Sequence, residues 1–254
     1  MQHTTLGHPC WIELVTADRD KAVAFYGGLF GWTTTEPVAE FGGYSQFLHD
    51  GRPIGGLMPE VPGMTGAPTW SVYLATPDAA KVAAQAVEAG GAAPVPPMEI
   101  TGLGTMVVVT DSSGMAHGGW QAAPFTGIDT DSRPGEPIWF EAYSKDFGAT
   151  KDFLRDVFGW TPDVVGDTDE FRYATNGPAD TAQAGLMDAG NWGDEFQPAW
   201  TAYIKVEDMD AAIARVVELG GSVVNGPDDT PYGVLTEIAD PAGQRLKIMV
   251  QPQG

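Results

Sequence analysis

The chain has 254 residues, 43% of them hydrophobic and 10% aromatic, with a formal net charge of −21 and a pI near 4.2. That apolar content supplies a core and excludes a disordered chain. The charge argues against partners with exposed phosphates, whether nucleic acid or anionic membrane, because both need basic patches.

In chain order, the N-terminal MQHTTLGHPC lacks a basic segment followed by an apolar one, so it does not read as a signal peptide. No run of about 18 apolar residues follows anywhere, so no transmembrane helix is expected. Cys10 is the single cysteine, which rules out an internal disulfide and fits a reducing, cytoplasmic setting. Residues 11–16 alternate as a strand, and Asp18 or a neighbour can cap the helix that follows. Val23, Phe25 or Tyr26, and Phe30 fall at helical spacing, and Gly31 stops the helix. Segments 44–49 and 53–58 read as strands joined by a tight turn at HDGR. A strand at 70–75, a helix at 78–89 ending on Gly90-Gly91, and strands near 105–110 and 115–121 repeat the order. The pattern is βαβββ, twice.

The chain then writes the same thing again. PIWFEAYSKDFGATKDFLRDVFGWT (137–161) answers PCWIELVTADRDKAVAFYGGLFGWT (9–33), with Trp139 for Trp11, Glu141 for Glu13, Asp146 for Asp18, Phe158 for Phe30 and Trp160 for Trp32. PAWTAYIKVEDMDAAIARVVELGG (198–221) answers PTWSVYLATPDAAKVAAQAVEAGG (68–91), and ADPAG (239–243) answers TDSSG (110–114). Helices are expected near 147–158 and 208–219. The reading is two modules of about 120 residues, an ordinary domain size: module one over 1–125, a Pro-, Gly- and Asp-rich linker over 126–136, and module two over 137–254.

Order, size and the motifs FYGGLFGW, the Tyr…Asp…Gly-Gly second helix and Asp-Pro-x-Gly before the last strand resemble the vicinal oxygen chelate superfamily of glyoxalases, bleomycin-resistance proteins and extradiol dioxygenases. More narrowly, the chain resembles two-module glyoxalase-like proteins of actinobacteria, some of which accompany aromatic polyketide gene clusters. The resemblance implies an α+β fold of two tandem modules, in which two βαβββ units form an open eight-stranded cup with helices outside. It also implies four cup positions that hold metal in the family's metal enzymes. In this sequence they fall at Trp11, Gly55 or Gly56, Ser71 and Gly118, and at Trp139, Ala184 or Gly185, Thr201 and Lys247. None is a good divalent-metal ligand, so no metal and no other cofactor is expected. An unusual set of Glu13, His49 and His117 stays open in module one; module two has no histidine.

By the same resemblance and the period of a strand, Trp11, Glu13 and Val15 face cup one with Ser71, Tyr73, Gly118 and Trp120. Trp139, Glu141 and Tyr143 face cup two with Thr201, Tyr203, Lys247 and Met249. Ile12, Leu14, Phe140 and Ala142 pack beneath the helices. Glu13 and Glu141 are the candidate acid–base groups, and Trp11, Tyr73, Trp120, His49, Trp139, Tyr143, Tyr203 and Lys247 the candidate ligand contacts. The plainer alternative is that the two glutamates accept hydrogen bonds from Tyr, from Trp indoles or from Arg52 and brace the cups.

Other features read structurally. Trp32 and Trp160 pack at helix exits, and Met58, Met64, Met98, Met106, Met187 and Met249 fill gaps or form a pliable rim. Residues 98–103 and 230–233 read as rim loops, and the acidic clusters at 167–170 and 228–229 as solvated loops. Gly55-Gly56 and Gly118-Gly119 lack the Lys-Ser/Thr of a phosphate loop. The expected partner is a hydrophobic or aromatic small molecule. The chain would turn it over without metal, or bind and sequester it; a metal-dependent lyase or dioxygenase is the weakest reading. The modules are expected to pair with each other as a pseudo-dimer, in a monomer or weak homodimer, with two non-equivalent cups.

Overall fold

Four aspartates set the helices. In the computed structural model, which describes residues 5–60 and 70–252, each accepts a backbone N–H three residues on: Asp18 from Lys21 (3.1 Å), Asp78 from Lys81 (2.9 Å), Asp146 from Ala149 (3.0 Å) and Asp208 from Ala211 (2.9 Å). The helices are α1 (Arg19–Phe30), α2 (Ala79–Glu88), α3 (Phe147–Phe158) and α4 (Met209–Glu218). Gly31 and Gly159 end α1 and α3 in the left-handed conformation, at φ 74° and 71°. Met64 and the outermost residues of both expected modules lie outside the described residues.

Module one contributes β1 (Pro9–Thr16), β2 (Thr33–Thr34), β3 (Ser45–His49), β4 (Arg52–Pro59), β5 (Trp70–Ala75), β6 (Ala92–Ile100), β7 (Gly104–Thr110) and β8 (Ala116–Ala122). They form one eight-stranded sheet in the order β2-β3-β4-β1-β5-β8-β7-β6. Module two repeats it with β9 (Pro137–Ser144), β10 (Asp163–Asp167), β11 (Arg172–Thr175), β12 (Ala184–Asp188), β13 (Ala199–Lys205), β14 (Ser222–Thr230), β15 (Gly233–Ala239) and β16 (Arg245–Val250), in the order β10-β11-β12-β9-β13-β16-β15-β14. The first strands β1 and β9 lie inside their sheets, each flanked by a parallel and an antiparallel neighbour.

β6 and β14 correct the expected rim loops. Met98, Glu99 and Ile100 belong to β6, Thr230 ends β14 and Gly233 opens β15; Asp228 and Asp229 are strand residues as well. Prolines at 94, 96, 97 and 227 hide the strand pattern, and an edge strand tolerates them because its outer N–H groups need no partner. Tyr232 remains a rim residue at 70% exposure.

The convex faces carry the core. Ile12, Leu14, Leu74 and Phe140 are fully buried, together with an aromatic cluster of Tyr26, Phe30, Trp32, Phe47 and Trp70. The modules also share it. α1 meets α4, where Gly28 lets Leu219 approach and its carbonyl accepts from Arg215 Nε (3.0 Å); α2 meets α3. The linker is pinned rather than loose. Glu136 is fully buried and accepts from the backbone N–H groups of Asp131 (2.9 Å) and Arg133 (3.0 Å) and from Arg52 (2.7 Å). Trp32 donates its indole N–H to the Gly135 carbonyl (2.7 Å), and Trp160 does the same to Gly7 (2.8 Å).

Candidate functional site

Pairing places the cup residues. Glu13 on β1 lies beside Gly56 on β4 and Ser71 on β5; Trp11 lies beside Tyr73, and Tyr73 beside Gly118 on β8. Module two repeats this, with Glu141 beside Gly185 and Thr201, Trp139 beside Tyr203, and Tyr203 beside Lys247. Gly56 and Gly185 are therefore the fourth-strand cup positions, rather than Gly55 and Ala184.

In cup one, the Tyr73 hydroxyl donates to Glu13 Oε1 (3.2 Å), and the Trp11 indole N–H donates to the Tyr44 hydroxyl (3.1 Å). Burial pushes the Glu13 carboxyl up to about 7 against the opposing hydrogen bond from Tyr73. Burial and the neighbouring Glu13 charge push the Tyr44 and Tyr73 phenols above their usual range, so they stay donors. Trp120 donates to the carbonyl of Phe125 (2.9 Å), whose ring stands edge-on to Trp11 at 4.9 Å.

Cup two is more polar. Tyr143 and Tyr203 both donate to Glu141 Oε2, with their hydroxyls 2.9 Å apart. Lys247 Nζ donates to the Tyr143 hydroxyl and to the Tyr203 hydroxyl (3.2 Å), and sits 4.6 and 5.1 Å from the two ring centroids. The Tyr173 hydroxyl meets both Glu141 and the Trp139 indole, the counterpart of Tyr44 in cup one. Burial lowers the Lys247 ammonium against the pull of Glu141, Glu237 and Asp228, and burial with Glu141 raises all three phenols. The result is a carboxylate, a phenol and an amine joined by hydrogen bonds, a path along which a proton can move. Trp192, half exposed, and Phe196 cover Tyr143, at 5.1 and 6.3 Å between centroids.

The positions that hold metal in the family's metal enzymes do not make a donor set here. A Cβ on Gly56 would stand 2.3 Å from the Tyr44 hydroxyl, one on Gly185 2.0 Å from the Tyr173 hydroxyl, and one on Gly118 2.7 Å from the Tyr73 ring. Each glycine is a gap filled by a neighbouring tyrosine. Among the described residues no three His, Cys, Asp or Glu side chains cluster as metal ligands.

Two histidine expectations are overturned. His49 ends β3 at the linker seam, with Nδ1 3.5 Å from Glu136 Oε1, and does not line a cup. His117 is buried on the opposite face of β8 from Gly118, stacked on Phe153 of module two and accepting the Trp200 indole N–H at Nδ1 (3.1 Å). Glu13, His49 and His117 are therefore not brought together. Arg52 serves Glu136, not Glu13. Two surface clefts, of about 430 Å³ beside Lys145, Lys151 and Arg172 and about 330 Å³ beside Leu29, Pro134 and Arg215, contain no cup residue.

The sequence reading missed Tyr44, Tyr173, Phe125 and the Trp192–Phe196 cover. A signal for the first two was present: Tyr44 precedes Gly56-Leu57-Met58 by the same spacing as Tyr173 precedes Gly185-Leu186-Met187.

Comparison with known proteins accords with this geometry. The model of the Glyoxalase/Bleomycin resistance protein/Dioxygenase superfamily matches residues 5–116 and 138–248. The chain is 35% identical to the anthracycline biosynthesis protein DauV of Streptomyces sp. (strain C5), over 96% of this chain and 93% of that protein. It is 34% identical to the anthracycline biosynthesis protein DnrV of Streptomyces peucetius, over 98% and 94%. The Mn(II)-bound glyoxalase from Novosphingobium aromaticivorans shares the fold at a TM-score of 0.67 and 15% identity, over 98% of this chain and 83% of that one.

Proposed function

The chain belongs to the glyoxalase/bleomycin resistance protein/dioxygenase superfamily, and from that premise we propose that it acts without a metal on a hydrophobic, aromatic metabolite of polyketide type. The observation that carries this reading is that three of the family's ligand positions, Gly56, Gly118 and Gly185, are glycines whose space is taken by phenols, two of which, Tyr73 and Tyr173, bond to a cup carboxylate. A carboxylate among aromatic walls can take a proton from a C–H or O–H beside a carbonyl, while the phenols donate to the oxygen that gains charge. That chemistry suits an isomerisation, a cyclisation or a step that assists an oxidation. The relatives named for anthracycline biosynthesis support an aromatic polyketide as the substrate class.

The test is turnover of a hydroxylated aromatic polyketide by the purified chain, with Glu141→Gln beside it. The variant is expected to bind normally and to lose at least about a hundredfold in rate, the usual worth of a positioned acid–base group. Binding without product in the wild-type chain would establish the sequestering reading instead, which the engagement of Glu141 Oε2 by two phenols also supports. Stoichiometric zinc, nickel, iron or manganese required for turnover would overturn metal independence.

A further inference from the structure

Cup one already holds an aromatic ring, and it comes from the chain itself. Phe125, just past β8, stands edge-on to Trp11 (4.9 Å, 89°) and to Trp120 (6.0 Å, 75°). Three hydrogen bonds fix its backbone and approach: its N–H and that of Ala123 donate to the Leu103 carbonyl (3.2 and 3.1 Å), and its carbonyl accepts from Trp120. The ring therefore occupies a prepared place, beneath which Trp11 is only 5% exposed.

Among the described residues, module two shows no counterpart of this ring. The alignment that pairs Gly118 with Lys247 and Trp120 with Met249 puts Gly254 opposite Phe125. Among the described residues no aromatic ring stacks on Trp139, which is less buried than Trp11. Two further changes separate the cups. Where cup one has Gly118, with no room for a Cβ, cup two has Lys247 on the Tyr143 and Tyr203 hydroxyls. Where cup one has Val15, cup two has Tyr143 under the half-exposed Trp192.

Resting on the aromatic-ligand reading above, we propose that cup two alone takes the ligand. A flat aromatic molecule bearing a hydroxyl or carbonyl oxygen lies against Trp139, in the place that Phe125 takes against Trp11, with its oxygen on Lys247 and its outer edge under Trp192. Phe125 is the resident ring that closes cup one. An apolar face offers area and stacking, and a single cation among phenols selects for an oxygen at one edge.

The experiment is calorimetric and fluorescence titration of the full chain with a dihydroxyanthraquinone, and with anthraquinone as the probe that lacks the hydroxyls. One equivalent is expected to bind. Lys247→Met is expected to weaken the dihydroxy probe about tenfold or more and anthraquinone far less, and Trp192→Ala to weaken both about fivefold, as for loss of one hydrogen-bonded or stacked partner. Phe125→Ala is expected to keep that site and add a second equivalent by opening cup one. Because Trp192 is half exposed, its variant tests the assignment even where Lys247→Met fails to fold. The proposal is overturned by two equivalents on the wild-type chain, by binding indifferent to Lys247→Met and Trp192→Ala, or by Phe125→Ala tightening a single site. Absence of any binding to the wild-type chain would instead sink the aromatic-ligand reading itself.

Discussion

Glu13 and Glu141 occupy equivalent places and live in different surroundings. Glu13 has one phenol donor and partial burial, and its carboxyl is pushed up to about 7. Glu141 has two phenols on one oxygen, with a lysine behind them. For Glu13 the linkage has a definite sign. The folded chain holds this proton more tightly than the unfolded one, so between about 4.5 and about 7 the native state binds more protons and stability falls as pH rises. Above about 7 the loss is complete, on the order of 3 kcal/mol at most, less because the group is partly exposed. Glu13→Gln should flatten that slope and melt higher than the wild-type chain at pH about 8, at equal or lower advantage near pH about 5. Thermal melts across this range check it; parallel curves for the two proteins would show that Glu13 ionises as freely as an exposed carboxylate.

At the level of elements, the strands dictate which side chains meet. The parallel pair β9–β12 brings Gly185 beside Glu141, and the missing side chain is what admits Tyr173. Gly185→Ala should displace the Tyr173 ring and cost about 1–3 kcal/mol, the usual penalty for overpacking. The cost should shrink in a Tyr173→Ala background, because residues that share a space couple. Denaturant unfolding of the two single variants and the double one measures this, and additive effects would contradict the contact. These elements were largely legible in the sequence: the cap at Asp18 or a neighbour, the helix-ending Gly31 and the duplication read directly, and the faces of β1 and β9 followed from strand period together with the family resemblance. The proline-bearing edge strands β6 and β14 were hidden by residues that ordinarily end strands. The tyrosines over the glycines were hidden for another reason. Which side chain fills a gap depends on strands brought together across the fold, and only the repeated spacing from Tyr44 to Gly56 and from Tyr173 to Gly185 carried a trace of it. His49 and His117 misled because residue type suggested a ligand, while face and pairing put them at the seams between modules.

Across the whole molecule, the two halves are tied by a reciprocal pair of buried carboxylates. Asp111 of module one accepts from Thr150 of α3 (2.6 Å), and Asp240 of module two accepts from Tyr26 of α1 (3.1 Å). Burial raises both carboxyls, but the balance differs. Hydrogen bonds from His117, Ser113 and Thr150 overcome it at Asp111 and hold that group low, whereas Asp240, whose module has Leu246 in place of His117, stays raised. The indole N–H of Trp200 needs an unprotonated His117 Nδ1, which leaves the proton on Nε2, 3.5 Å from Asp111. An interface built this way couples the modules, so the chain should unfold in one transition by both near- and far-ultraviolet circular dichroism. Thr150→Val removes a donor from a buried carboxylate and should cost about 1–3 kcal/mol, lowering that single transition as a whole. With Asp111 held low, this contribution is present at neutral pH and is lost only as acid protonates the folded carboxylate, so the gap between the variant and the wild-type chain should begin to narrow below pH about 4 and close only well beneath it. Two separate transitions, with only one moved by Thr150→Val, would show instead that each module folds on its own and that the seam is a contact between finished halves.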